Sequence, residues 1–433
     1  MKKNYTKEAI LLSTLLLAGC SSKYNNINYN ASDFEYERNN TNIFLEENTN
    51  QEVEEETSTT VESQVEENLE EYTQIIEVEE NHEIEHVDLV MIGDVLVHEP
   101  VYKSGIQSDG SLNYDHLFEN IEYDLAEAEI KIVNQETILG GMELGFSSYP
   151  CFNSPQEIGI AEANAEFNVI CQATNHAMDK GYKAINNTIE FWENNYPNIA
   201  VLGLNKTAED QDNIYIYKQG DFKIAILNYT YGTNGIPLPS DKPYLVNILD
   251  KEKVTKDILK AKSMADFVVV TPHWGTEYQY TPDTLQQEYT QLFSDLGVDL
   301  VIGTHPHVLE NMEVITNEEG HEMLVYYSLG NFMSGQTERP RVIGGMAKVS
   351  IEKDYETDKC FITEYELDPI ITQQGEYTAY KLEDYNDDLA SKNAIRNKSG
   401  CSDFNMEYIN DFCEEVLGED FDRTQEKVRV RVK

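Results

Sequence analysis

The sequence predicts an α/β fold with a partly parallel sheet, and three observations predict it. Short apolar runs of strand length alternate with longer segments of helical spacing. Polar and titratable residues recur directly after those apolar runs, where open α/β sheets place their ligands. The last two long runs, Met346–Lys353 and Lys359–Leu367, succeed one another without a helix and read as antiparallel strands.

At 433 residues the chain is long enough for one large domain or two ordinary ones. It opens with Lys2, Lys3 and Lys7, then an apolar run from Ala9 to Ala18 that leads into Gly19-Cys20. That run is too short to span a bilayer, and its flanks are those of a cleaved export signal over residues 1–19. A small-residue site ending in cysteine resembles the bacterial lipobox. The resemblance implies a lipidated Cys20 and a chain anchored to the outer, extracytoplasmic face of a bacterial cell membrane. Residues 20–86 read as an acidic, disordered tether. Arg38 is the single basic residue between 31 and 86, and Glu54-Glu55-Glu56 belongs to a self-repelling stretch without apolar periodicity. The formal charge of −47 excludes nucleic acid as a partner, since that needs a basic face. None of the six cysteines has C-x-x-C spacing, which argues against a zinc ribbon or a redox motif.

The folded part is expected over 87–372. Val87–Ile92 is a strand breaking at Gly93-Asp94, and Asn120–Glu129 is a helical segment. Ile130–Val133 is a second strand, ending at Asn134-Gln135-Glu136. Phe167–Cys171 is a third, ending at Thr174-Asn175-His176. Gly181–Asn194 comes next with helical spacing and puts Ala184, Ile185, Ile189 and Trp192 on one side. After the strand Ala200–Leu202, Asn213–Lys218 and Lys223–Tyr229 form a hairpin turning at Gly220-Asp221. A helix over Lys251–Met264 feeds the strand Phe267–Val270, which leads to His273. A helix over Thr284–Leu296 feeds the strand Val298–Gly303, which leads to His305. Val325–Leu329 is a strand ending at Gly330-Asn331. Residues 373–433 are expected to be a connector and a C-terminal helical appendage. Its helix runs over Asp403–Leu417, with Asp403 as the cap.

Asp94, Glu136, Asn175, His176, His273, His305 and His307 all stand just beyond strands. Singly each has an ordinary reading: Asp94 caps a turn, Asn175 turns the chain, His273 sits under Trp274. His305 and His307 flank Pro306, and in an extended segment residues two apart share a face. Carboxylates, imidazoles and an amide oxygen suit Zn, Mn or Fe rather than Ca, which takes oxygen only. A pair of divalent cations about 3.5–4 Å apart needs a bridging carboxylate, for which either Asp94 or Glu136 could serve.

The ordered set Gly93-Asp94, Asn134-x-Glu136, Ala173-Thr174-Asn175-His176-x-x-Asp179-x-Gly181, His273-Trp274-Gly275-x-Glu277-Tyr278, Gly303-x-His305-Pro306-His307 and Tyr327-Ser328-Leu329-Gly330-Asn331-Phe332 resembles the CapA family. Those are bacterial capsule proteins of poly-γ-glutamate synthesis, a branch of the calcineurin-like metallophosphatase fold. The resemblance spans roughly Val87 to Ile371. It implies a metallophosphatase-like sandwich of two mixed β-sheets flanked by helices, with a two-metal site at the sheet edge. Carried over by position, Asp94 and His307 hold one ion, Asn175, His273 and His305 hold the other, and Glu136 bridges them. His176 then acts as general acid or charge stabiliser. The family often carries Gln where Glu310 stands. True phosphatases of the fold open with Asp-x-His, whereas Val95-Leu96 come after Asp94 here, and His98 is the candidate for the missing place. Glu277 and Asn331 read as pocket residues or as turn structure.

These readings favour a surface-anchored, metal-dependent hydrolase or transferase of capsule or exopolymer assembly. Its expected partners are an anionic exopolymer or wall polymer and capsule synthase subunits. A non-catalytic scaffold and a general phosphoesterase are the alternatives.

Overall fold

The computed structural model describes residues 84–432. The export signal, Cys20 and the tether as far as residue 83 lie outside them. Among the described residues no helix is long and apolar enough to cross a membrane.

The chain enters on strand β1 (Ile84–Leu96), followed by β2 (Ile130–Gln135), β3 (Val169–Cys171) and β4 (Ala200–Leu202), all parallel. A hairpin of β5 (Tyr215–Gln219) and β6 (Phe222–Thr230) starts a second sheet. That sheet continues with β7 (Phe267–His273) and β8 (Leu300–Ile302), and closes with β9 (Met312–Thr316) and β10 (Glu322–Tyr326) in the order β5-β6-β7-β8-β10-β9. The chain then returns to the first sheet through β11 (Asn331–Ser334), which lies parallel to the end of β1. The long hairpin β12 (Ile343–Asp354) and β13 (Lys359–Gln373) is joined by β14 (Thr378–Lys381), β15 (Phe421–Asp422) and β16 (Lys427–Arg431). The result is the expected sandwich of two mixed sheets flanked by helices.

Alternation along the strands builds the layers. Val87, Leu89 and Met91 of β1 join Ile224, Val269 and Leu300 of the other sheet in one core between the sheets. Val90 and Ile92 turn outward onto Val101, Phe118, Ile158 and Trp192. On the far side, Val268 and Val270 meet Ile258 and Phe293 of the helices Lys251–Lys262 and Thr284–Asp295. Each such side chain contributes roughly 1.5–3 kcal/mol when fully buried. Both helices start on an aspartate that accepts a backbone N–H of the first turn, Asp250 from Lys253 and Asp283 from Gln286.

Four expectations need correction. First, β1 begins at Ile84, three residues before the expected boundary, because β12 runs on to pair Asp354 with it. Second, the strand expected over Val325–Leu329 breaks at Tyr326, and a separate strand starts at Asn331. The break lets the segment cross from one sheet to the other, and it brings Gly330 O within 2.1 Å of where a Cβ on Gly93 would lie. Only glycine fits at 93. Third, the C-terminal part is not only helical: β15 and β16 extend the first sheet through pairing with β13. Fourth, the helix there spans Met406–Leu417 and is capped by Asn405, whose side chain accepts the Tyr408 N–H at 2.8 Å; Asp403 instead pairs with Arg339. Asn405→Ala is therefore expected to cost about 1 kcal/mol in denaturant unfolding, with Asp403→Ala at that helix end costing less.

Candidate metal centre

The parallel strands of both sheets point their carboxyl ends at one edge, and the site assembles there. Asp94 lies near the end of β1 and Glu136 directly after β2. Asn175 and His176 come after β3, His273 ends β7, and His305 and His307 come after β8. All seven are buried, at 6% exposure or less. Distant strand ends therefore converge, and the chain folds this way because the two sheets share one core.

The two neighbouring imidazoles are not presented by an extended strand, as the spacing suggested. β8 stops at Ile302, and His305 and His307 have φ of 100° and 61° in a tight loop. Positive φ is costly for a non-glycine residue and is kept where surrounding contacts over-determine it. The contacts are visible. The His305 N–H points at Asp94 Oδ2 at 3.3 Å, and His307 Nδ1 lies 3.2 Å from the same oxygen and 3.1 Å from Asn331 Oδ1.

On the other side, His273 Nε2 sits 2.9 Å from Asn175 Oδ1, and its Nδ1 is 3.0 Å from Thr304 Oγ1. The ring centroid of His305 is 4.8 Å from that of His273 and 5.8 Å from that of His307. Glu136 lies between these groups. Its Oε1 is 3.7 Å from His273 Nε2 and 3.9 Å from His176 Nε2, and its Oε2 is 3.7 Å from His307 Nδ1.

The donor set fits a cation on physical grounds. Glu136 is 1% exposed, yet neither carboxylate oxygen accepts a hydrogen bond, and His305 Nδ1 is equally without a partner. Buried groups of that kind are normally satisfied. One ligand atom each from Glu136, His305 and His307 lies within 4.8 Å of the others. Burial, helped by the Asp94 charge, pushes the Glu136 carboxyl well above its usual range. Burial likewise holds His273 and His305 well below the usual imidazole value, so both rings are neutral and offer lone pairs. His307 differs: burial lowers it, but the facing Glu136 and Asp94 carboxylates outweigh that and raise it to about 9. Without a cation the cluster is a set of unspent lone pairs around a buried acid, the opposite of a stable polar core.

The structure spreads the remaining expected residues more widely. Asn331 belongs to the cluster through His307. Glu277 is exposed on the loop beyond β7. His98 stands a layer out. Its Nδ1 receives the Gly335 N–H at 3.2 Å, and its ring meets Phe152 edge-on at 5.2 Å; Phe152 in turn meets His176 at 4.7 Å. Four contacts went unassigned in the sequence. Asn134 Nδ2 donates to Asp94 Oδ1 at 2.8 Å, Asp179 Oδ2 lies 2.7 Å from His176 Nδ1, Thr304 holds His273, and the Tyr231 ring lies tilted against that of His305 with centroids 4.6 Å apart. The His176-x-x-Asp179 spacing was the signal for the second of these.

Mixed sheets carrying convergent acids and imidazoles at their shared edge define an α/β protein with a candidate metal site. Residues 88–336 match the family described as "Bacterial capsule synthesis protein PGA_cap", and the chain belongs to that family. It is similar to "PGA biosynthesis protein CapA" of Bacillus subtilis (strain 168), 35% identical over 39% of this chain and 43% of that protein. It is also similar to "Capsule biosynthesis protein CapA" of Bacillus anthracis, 30% identical over 42% of this chain and 44% of that one. The matched part thus spans less than half the length of either curated relative. Among solved structures it is similar to the calcineurin-like phosphoesterase YfkN from Bacillus subtilis. There the TM-score is 0.40 at 13% identity, covering 75% of this chain and 98% of that one.

Proposed function

We propose that this protein is a membrane-anchored, extracytoplasmic enzyme of capsule assembly that hydrolyses or transfers poly-γ-glutamate or a related anionic exopolymer. The observation that carries the reading is Glu136: a buried carboxylate with both oxygens unpaired, ringed by three imidazoles and Asp94. Asp94, Glu136, Asn175, His273, His305 and His307 would hold two divalent ions, with Mn, Zn and Fe as the candidates for this nitrogen and oxygen set. Bound there, the ions supply Lewis acidity and bring the pKa of water towards neutrality.

The chain's own groups do the rest. Asn134 and the His305 backbone N–H fix the Asp94 carboxylate. Asp179 holds His176 by Nδ1 and leaves Nε2 facing the cluster as the general acid that protonates a leaving group. Tyr231 and Tyr278, with rings tilted against those of His305 and His307, wall the flanks of the cluster. Anchoring through a lipidated Cys20 and contact with capsule synthase subunits complete the proposal.

The acidic balance of the chain favours a second reading, a scaffold that binds the synthase without chemistry. Elemental analysis combined with turnover of γ-linked glutamate oligomers and of simple phosphate esters tests all three. Two equivalents of metal with oligomer turnover is the expected result. Metal-free protein that still supports capsule output overturns the enzyme in favour of the scaffold. Turnover of phosphate esters alone makes it a general phosphoesterase.

A further inference from the structure

The proposed function puts an anionic substrate against an acidic protein, so something near the metal centre must supply positive charge. The loop after β11 provides it. Arg341 lays its guanidinium 3.5 Å over the ring of Tyr278, and Tyr278 stands 5.9 Å from the ring of His307. The stack is fixed from both ends. Tyr278, at φ 68°, donates its backbone N–H to Pro306 O at 2.8 Å, inside the His305–His307 loop. Arg341 O accepts from Asn331 Nδ2 at 2.9 Å, and Asn331 Oδ1 contacts His307. Gln336 ties the two together, since its amide nitrogen reaches the Tyr278 hydroxyl at 3.4 Å and its amide oxygen accepts from Asn331.

We propose that Arg341, held on Tyr278 at the edge of the metal centre, is the specificity-determining residue that binds an oxyanion of the substrate. This rests on the catalytic reading of the site. The guanidinium side chain is 18% exposed, and among the described residues its ion pair is with Glu338 at 3.0 Å, whose own side chain is 63% exposed. Exposed pairs of that kind are weak, roughly 0–1 kcal/mol, so an incoming carboxylate or phosphate exchanges with Glu338 at little cost. A planar fork matches either oxyanion with two parallel hydrogen bonds, which an ammonium does not. The stacked tyrosine removes the rotamer freedom that a free arginine would lose on binding. Glu277, exposed on the loop that carries Tyr278, places a negative charge beside the stack that the arginine opposes.

Calorimetric binding of two probes, inorganic phosphate and a γ-linked glutamate trimer, tests this on the purified full chain with its metal content measured in parallel. Arg341→Gln is expected to weaken the preferred probe by about tenfold or more with metal content unchanged. Arg341→Lys should recover part of that loss. Glu338→Gln, at an exposed position that does not threaten folding, should tighten binding severalfold by freeing the guanidinium. The probe that responds tells carboxylate from phosphate. Binding unchanged in both Arg341→Gln and Glu338→Gln overturns the assignment, as does wild-type protein that binds neither probe. Protein that takes up no metal overturns the proposed function instead, while the response of the probes to Arg341 is still read.

Discussion

Glu136→Gln is expected to give a folded protein that no longer retains divalent metal. Glutamine keeps the volume of the side chain at the end of β2, so the packing around it is undisturbed. It loses the charge, and with it the anionic oxygens that accept no hydrogen bond inside a ring of imidazoles. Even partners that merely orient metal ligands are worth about 10–100-fold in affinity, so a ligand at the centre of the set should cost at least about 100-fold. Stability should separate in an informative way. Metal binding only to the native wild type stabilises it by about 2.7 kcal/mol at a hundred times Kd, and a chelator removes that gain. The variant should melt at the same temperature with or without chelator. Stripped of metal, it should be at least as stable as stripped wild type, because a buried unpaired carboxylate is itself costly. Elemental analysis after dialysis and paired melting curves check both parts. Full metal retention by the variant would remove Glu136 from the ligand set.

Much of this site was legible because its residues stand at the ends of elements that the sequence states clearly. Val87–Ile92, Ile130–Val133 and Phe267–Val270 are apolar over strand length, and the residues just beyond each of them are polar for a reason other than solvation. The partly parallel sheet came from the alternation of strands and helices, whereas its division into two sheets was implied by the family resemblance. What escaped was set by tertiary pairing. Residues 331–334 were not read as a strand, since nothing local records that the chain changes sheets at Gly330. β15 and β16 are two and five residues long, and they exist because β13 offers an edge. The twist of the His305–His307 loop was hidden in the same way. Proline between two histidines suggested extended backbone, whereas the contacts with Asp94 and Asn331 impose positive φ. The contacts of Asn134 and Tyr231 could not be assigned from the sequence, because amide and phenol groups near a strand end are ordinary until their partners are known.

Across pH 5 to 8 the buried, raised carboxyls cost the metal-free protein stability, and Glu310→Gln is expected to remove the share of that slope that Glu310 contributes. Glu310 is 1% exposed behind the site loop; Oε2 accepts from the Gln286 amide, and Oε1 has no partner. Burial raises its carboxyl to about 8, against the pull of the Gln286 hydrogen bond, and Asp283 adds to the rise. In the unfolded chain the same group releases its proton near pH 4.3. Between those values the native state keeps a proton that the unfolded state has given up. Stability is therefore fully present below about pH 4.3, falls by up to about 1.4 kcal/mol per unit above it, and levels off past pH 8. Glutamine accepts from Gln286 in the same place and never ionises. The variant should match wild type below about pH 4 and exceed it by about 2 kcal/mol or more at pH 8. Melting temperatures across that range decide it, and parallel curves for the two proteins would show that Glu310 stays ionised. The contact reaches towards the metal centre. Gln286 closes the capping box with Asp283 and fills the space where a Cβ on Gly275 would lie, two residues past His273. Because the Gln286 amide bonds the ionised Glu310 more strongly than the neutral form, the loop that carries Glu277 and Tyr278 keeps its anchor through this titration, and oxyanion binding at Arg341 should be as strong in Glu310→Gln as in wild type.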